Sequence, residues 1–215
     1  MDKKKILQHL DHTLLKQDAT WEQIKTLCDE GMQYHVASVC IPPCYVKEAR
    51  DYVADRLKIC TVIGFPNGYQ TTAVKVAETK EAVEDGADEI DMVMNIGALK
   101  DKNYDLVRDD VKAVVEAANG TLVKVILETC LLTEDEIKKA CELCVEAKAD
   151  YVKTSTGFST RGATIEDVRI MKEAVHGKAK VKAAGGVRTP EDMVKIVAAG
   201  ADRIGTSAGC SLVKK

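Results

Sequence analysis

The feature that most constrains this chain is a pattern that recurs along its whole length: a short β-branched run, then turn residues, then a longer segment with helical spacing. The strand candidates are LDHTLL (10–15), SVCI (38–41), ICTVIGF (59–65), EIDMVMN (89–95), LVKVILET (122–129), YVKTST (151–156), KVKAAG (180–185) and RIGTS (203–207). Helical segments fill the gaps, and several open on a threonine able to accept from the first unpaired backbone N–H groups. Thr20 precedes WEQIKTLCDEGM, and Thr133 precedes EDEIKKACELCVEAKA with Glu136 at the capping-box position. Thr164 precedes IEDVRIMKEAV with Asp167 in the same place, and Thr189 precedes Pro190 and EDMVKIVAAG. Gly31, Gly86 and Gly200 stand where helices are expected to end.

Such an alternation makes an α/β protein, either a closed (β/α)8 barrel or an open doubly wound sheet. Strands buried on both faces should be apolar at nearly every position. Here one parity carries Asp91, Val93 and Asn95; Lys124, Ile126 and Glu128; Lys153 and Ser155; Lys182 and Ala184. The other parity is apolar: Ile90, Met92 and Met94; Val123, Val125 and Leu127; Val181 and Ala183. One face therefore packs under helices while the other gathers ionisable groups, as a barrel interior would. The expectation is a (β/α)8 TIM barrel, one domain over 1–215 with a short N-terminal helical segment.

Composition narrows the function. A formal net charge of −3, no long block of one sign, two Phe and one Trp give neither a nucleic-acid footprint nor a stacking platform. The apolar run after the basic start is broken by Gln8, His9 and Asp11, so neither a signal peptide nor a membrane span is expected. Eight scattered cysteines read as free thiols in a reducing cytoplasm, and the CxxC pair Cys141 and Cys144, inside a helical run, as core packing. None of the four histidines forms an HxH or HExxH pair, and no GxGxxG follows the first strand, so neither a metal nor a nicotinamide cofactor is expected. Of the histidines only His12 belongs near a barrel mouth, where a structural role is the simpler reading.

Asp91, Lys124, Lys153 and Lys182 lie on consecutive strands and would point inward together. They could form a structural ion-pair network, but three lysines against Asp91 and Glu128 leave a positive excess that such a network would not choose. A nucleophilic lysine must be neutral, and at an ordinary pKa of about 10.4 only about one in 10³ is neutral near pH 7. Burial and a second ammonium on the next strand both push that value down. Lys153 and Lys182 provide this pairing, with either as the nucleophile, and Asp91 could move protons between them and a substrate. The composition suits Schiff-base chemistry. After the strands come STGF (155–158), AGGVRT (184–189) and IGTSAG (204–209), whose backbone N–H groups could cradle a phosphate, with Ser207 adding a hydroxyl and Arg188 or Arg161 a positive charge.

Taken in order, LDHTLL, SVCIPP, TVIGFPNG, EIDMVMNIG, VKVILET, VKTSTGF, VKAAGGVRT and RIGTSAG resemble the deoxyribose-phosphate aldolases, class I aldolases, over nearly the whole chain. The resemblance implies Lys153 as the Schiff-base lysine, Lys182 as the lysine that lowers its pKa, and Asp91 as the proton-transfer carboxylate. It implies Cys40, Asp11, Lys124 and Thr156 around the substrate, and Gly157, Gly185, Gly186, Gly205 and Ser207, with Thr156, at the phosphate. The implied reaction is reversible cleavage of 2-deoxy-D-ribose 5-phosphate to D-glyceraldehyde 3-phosphate and acetaldehyde, without metal or organic cofactor, in a cytoplasmic homodimer or homotetramer. Two departures stand out. Some members end in a tyrosine credited with proton transfer, whereas this sequence closes on SLVKK, leaving that role empty. Some carry a lysine for the phosphate where this chain has Phe158, and Arg161 is the expected substitute. Another lysine-dependent aldolase or transaldolase, a non-catalytic sugar-phosphate binding barrel, and an isomerase using Asp91 or Glu128 as base remain as alternatives.

Overall fold

The computed structural model describes residues 6–209. Of the expected N-terminal helical segment only the end, residues 6–7, is described, and it is helical; SLVKK lies outside the described residues. Eight parallel strands close into a barrel in chain order: β1 (Leu10–Thr13), β2 (Ser38–Ile41), β3 (Ile59–Ile63), β4 (Glu89–Val93), β5 (Leu122–Ile126), β6 (Tyr151–Lys153), β7 (Lys180–Ala184) and β8 (Arg203–Thr206), with β8 pairing back onto β1. Around them run α1 (Trp21–Tyr34), α2 (Val46–Val53), α3 (Thr72–Glu84), α4 (Ile96–Lys100), α5 (Tyr104–Ala117), α6 (Glu134–Glu146), α7 (Ile165–Ala174) and α8 (Pro190–Ala198).

The core lies between wall and helices. Ile90 and Met92 of β4, Val123 and Val125 of β5, and Val181 and Ala183 of β7 share one buried cluster with Val107, Val111 and Val114 of α5 and Ile137 and Cys141 of α6. Each such side chain contributes about 1.5–3 kcal/mol on burial, so the apolar parity dictates which face of every strand turns outward. That choice sends the charged parity inside.

Local signals set the helix starts. Thr133, Thr164 and Thr189 accept from the N–H of Glu136, Asp167 and Asp192, whose carboxylates reach back to the threonine N–H. Gly86 and Gly200 follow helix ends with φ of 98° and 118°. Gly31 does not end a helix: α1 continues to Tyr34 and closes on left-handed His35. Its bare Cα instead lets α1 press on the barrel, since a Cβ there would meet Leu57 at 2.9 Å and Val39 at 3.0 Å.

Several strands stop short of their sequence patterns because the backbone turns left-handed: at Gly64 after β3, Glu128 after β5 and Gly185 after β7. The leftover residues build the mouth of the barrel. Cys141 and Cys144 are packed into the core, where burial pushes the Cys141 thiol up to about 12 and leaves it unreactive. His12 Nε2 meets Glu30 of α1 at 2.8 Å, on the helix side of the wall. A buried pair invisible to the motif reading, Lys75 with Asp110 at 2.6 Å, joins α3 to α5, and Lys75 Nζ also donates to the carbonyl of Val93 at 3.0 Å.

Candidate active site

Inside the barrel the charged parity forms a connected stack. Asp91 on β4 is its centre. Its Oδ2 accepts from Lys153 Nζ at 2.8 Å and Lys182 Nζ at 2.6 Å, and its Oδ1 from Lys124 Nζ at 2.9 Å. In-register pairing of Lys153 with Lys182 on β6 and β7 brings the two lysines to the same carboxylate oxygen. Lys182 also pairs with Asp11 at 2.5 Å, and Lys124 with Glu89 at 2.6 Å. Arg203 closes the lower end, 2.6 Å from Asp11 and 3.1 Å from Glu89.

Four cations therefore meet three carboxylates, one positive charge in excess if all are ionised. The sign of that excess was readable from the sequence, but its membership was not. Glu128 stands apart, while Glu89, Asp11 and Arg203 join. Glu89 shares the parity of Asp91, which could have flagged it; the partners of Asp11 and Arg203 exist only once β8 meets β1.

Burial by itself would raise the pKa of Asp91, but the ammonium groups of Lys124, Lys153 and Lys182 outweigh it and hold the carboxyl well below its ordinary range. Burial by itself would lower Lys182, yet Asp11 and Asp91 hold it above the usual lysine value. The surroundings thus favour the carboxylate of Asp91 and the ammonium of Lys182.

Of the three lysines in the stack, Lys153 is the one that borders a cavity. It lies on the floor of a cavity of about 340 Å³, bounded also by Thr156, Gly157, Gly185, Gly186, Gly205 and Ser207. Gly157, Gly185 and Gly186 have φ of 88°, 74° and 77°, conformations that a side chain would strain. Two cations that border the cavity are Arg188, one of the two arginines considered from sequence, and Lys16, which carried no motif signal because it follows the β1 run as an ordinary exposed lysine.

Other expected residues lie elsewhere. Cys40 is fully buried beside Cys60 and Val62, and Asp11 and Lys124 lie fully buried in the ion-pair stack; none of the three borders the cavity. Arg161 does not border it either. Its guanidinium is held by Asp167 at 2.5 Å and by the Gly162 carbonyl at 3.1 Å. Phe158 borders the cavity and stacks edge-on against Phe65 at 5.3 Å. Cys40, Cys60 and Asp91 approach one another closely enough to hold a cation, but the ammonium groups already on Asp91 oppose one.

A (β/α)8 barrel with a buried lysine on the floor of its mouth, a carboxylate and a second ammonium beside it, and glycine turns above defines the class I aldolases. Residues 5–214 match the model of the DeoC/LacD family aldolases, and the chain belongs to this family. A deoxyribose-phosphate aldolase of Exiguobacterium sp. is 58% identical over 210 residues, 97% of this chain and 95% of that protein. Among solved structures, the aldolase QR15 superposes with a TM-score of 0.94 at 44% identity, covering 97% of this chain and 94% of that one. The deoxyribose phosphate aldolase of Aeropyrum pernix, described as tetrameric, superposes at 0.93 with 32% identity over 99% and 91% of the two chains.

Proposed function

We propose that this chain catalyses the reversible cleavage of 2-deoxy-D-ribose 5-phosphate to D-glyceraldehyde 3-phosphate and acetaldehyde through a Schiff base on Lys153. The observation that carries the reading is Lys153 itself. It is an amine 3% exposed, on the cavity floor, sharing one carboxylate oxygen with a second lysine.

In the synthetic direction neutral Lys153 Nζ adds to the acetaldehyde carbonyl carbon, whose oxygen takes one proton from that nitrogen and a second from an acid and leaves as water, giving an iminium. Loss of a methyl proton yields the enamine, whose carbon attacks the aldehyde carbon of glyceraldehyde 3-phosphate. Water then adds to the new iminium and frees Lys153. Asp91, in hydrogen-bond contact with Lys153 Nζ, stabilises the iminium and exchanges protons with the reacting atoms.

At the other end of the cavity the glycine turns of β6, β7 and β8 take the phosphate through backbone N–H groups, with Ser207 as hydroxyl donor. The positive charge comes from Lys16 and Arg188, which border that cavity, and not from Arg161, which is engaged by Asp167. Resemblance to a relative described as tetrameric supports a homo-oligomer, and the cysteines read as free thiols support a cytoplasmic setting.

The test is incubation with acetaldehyde and borohydride, followed by intact-mass analysis and peptide mapping. A single two-carbon adduct on the peptide containing Lys153 is expected. No adduct, or adducts spread over surface lysines, would reject the mechanism and favour a binding barrel.

A further inference from the structure

Glu128 takes no part in the ion-pair stack, yet it is 3% exposed and sits in the left-handed region at φ 56°. A non-glycine residue there costs about 1–2 kcal/mol, and such strain persists only where its surroundings impose it. The structure shows what the unusual backbone allows. Instead of following β5 inward, the carboxylate turns onto the loop after β6. Oε1 accepts from Thr156 N at 3.2 Å, and Oε2 accepts from the Thr156 hydroxyl. With its proton given to Glu128, that hydroxyl accepts from Phe158 N at 3.0 Å. Its orientation is thereby decided, and the turn around Gly157 is closed from beneath.

The same loop is held further on. Asp167 takes Arg161, and Thr129, next to Glu128, donates to Asp167 at 3.0 Å. Ala163 N then donates to the carbonyls of Ala184 and Gly185 at 3.0 and 3.1 Å. Gly162 lies so close to the β7 turn that a Cβ would fall 2.2 Å from the carbonyl carbon of Gly185. The two glycine turns are thus one bonded unit, anchored to β5 through the side chain of Glu128.

We propose that Glu128 is a positioning residue for the phosphate end of the cavity: its buried carboxylate fixes the 156–158 turn against which the phosphate is bound. The inference rests on the phosphate reading above. It also explains why the position is a carboxylate, since two acceptor oxygens are needed for an N–H and an O–H on one residue.

The experiment compares kcat/KM for 2-deoxyribose 5-phosphate with that for unphosphorylated 2-deoxyribose. In Glu128→Gly, which relieves the backbone strain and removes the clamp, the ratio of the two values is expected to fall about tenfold or more. Glu128→Gln, which keeps one acceptor, should lie between. Thr156→Val should fall by as much as Glu128→Gly, and the double variant little further, because both changes break one unit. An unchanged ratio in Glu128→Gly and Glu128→Gln, whether overall activity is kept or lost, would overturn the proposal. Absence of phosphate discrimination in the unmodified protein would instead reject the phosphate reading on which it rests.

Discussion

At the scale of single residues, the site depends on charges that cannot be removed one at a time. Lys182 is fully enclosed against Asp11 and Asp91. Lys182→Met takes one partner from each of two buried carboxylates that keep others, so we expect stability to fall by about 1–3 kcal/mol in denaturant titration. If the proposed mechanism holds, the rate should fall at least about 10²-fold with loss of the positive charge beside Asp91 and Lys153. A variant that kept full kcat would show that Lys182 is structural only. The rim behaves differently. Lys16→Ala and Arg188→Ala are each expected to raise KM for the phosphorylated substrate about tenfold, the worth of one charge-assisted contact. Arg161→Ala should leave that KM close to its starting value, because the guanidinium is bound to Asp167. A rise confined to Arg161→Ala would return the phosphate charge to the position expected from sequence.

At the scale of elements, what was legible depended on whether the signal was local. The capping boxes of α6, α7 and α8 were readable because donor and acceptor lie three residues apart; Thr164→Ala should cost about 1 kcal/mol by thermal unfolding. Strand ends were not readable. An apolar pattern continues through Leu127 and Met94, which still donate to the carbonyls of Lys153 and Ile126 past the regular strand ends, and Glu128 then leaves the sheet through a left-handed backbone. Gly31 misled for a similar reason: its purpose is a contact with Leu57 and Val39, distant in sequence. Gly162 carries no local signal, because its close neighbour Gly185 is distant in sequence. Gly162→Ala is expected to push apart the β6 and β7 turns, raising KM for the phosphorylated substrate while acetaldehyde and borohydride still label Lys153. Loss of labelling together with the rise in KM would mean the turns also support the lysine.

At the scale of the whole molecule, the interior charges set the pH range of the fold. Asp11 and Asp91 have pKa values lowered by folding, so their stabilisation is present above the unfolded value near 4 and is lost as pH falls through the lower folded values. Lys124 and Lys182 are raised, so theirs is present below about pH 10 and is lost as pH rises through the higher folded values. The melting temperature should accordingly be nearly level between about pH 5 and 9 and drop on either side. A pronounced maximum near neutrality would mean that other groups dominate. The alternation of strands and helices and the inward parity shared by Lys153, Lys182 and Asp91 were determined by the sequence alone, since periodicity is a property of neighbours along the chain. Which cations meet which carboxylates, that Cys40, Asp11 and Lys124 lie beneath the cavity, that Lys16 faces it while Arg161 does not, and that Glu128 turns away to hold Thr156 were decided only by the closed barrel. Those relations join residues far apart in sequence, and strand register and loop path, not local pattern, bring them together.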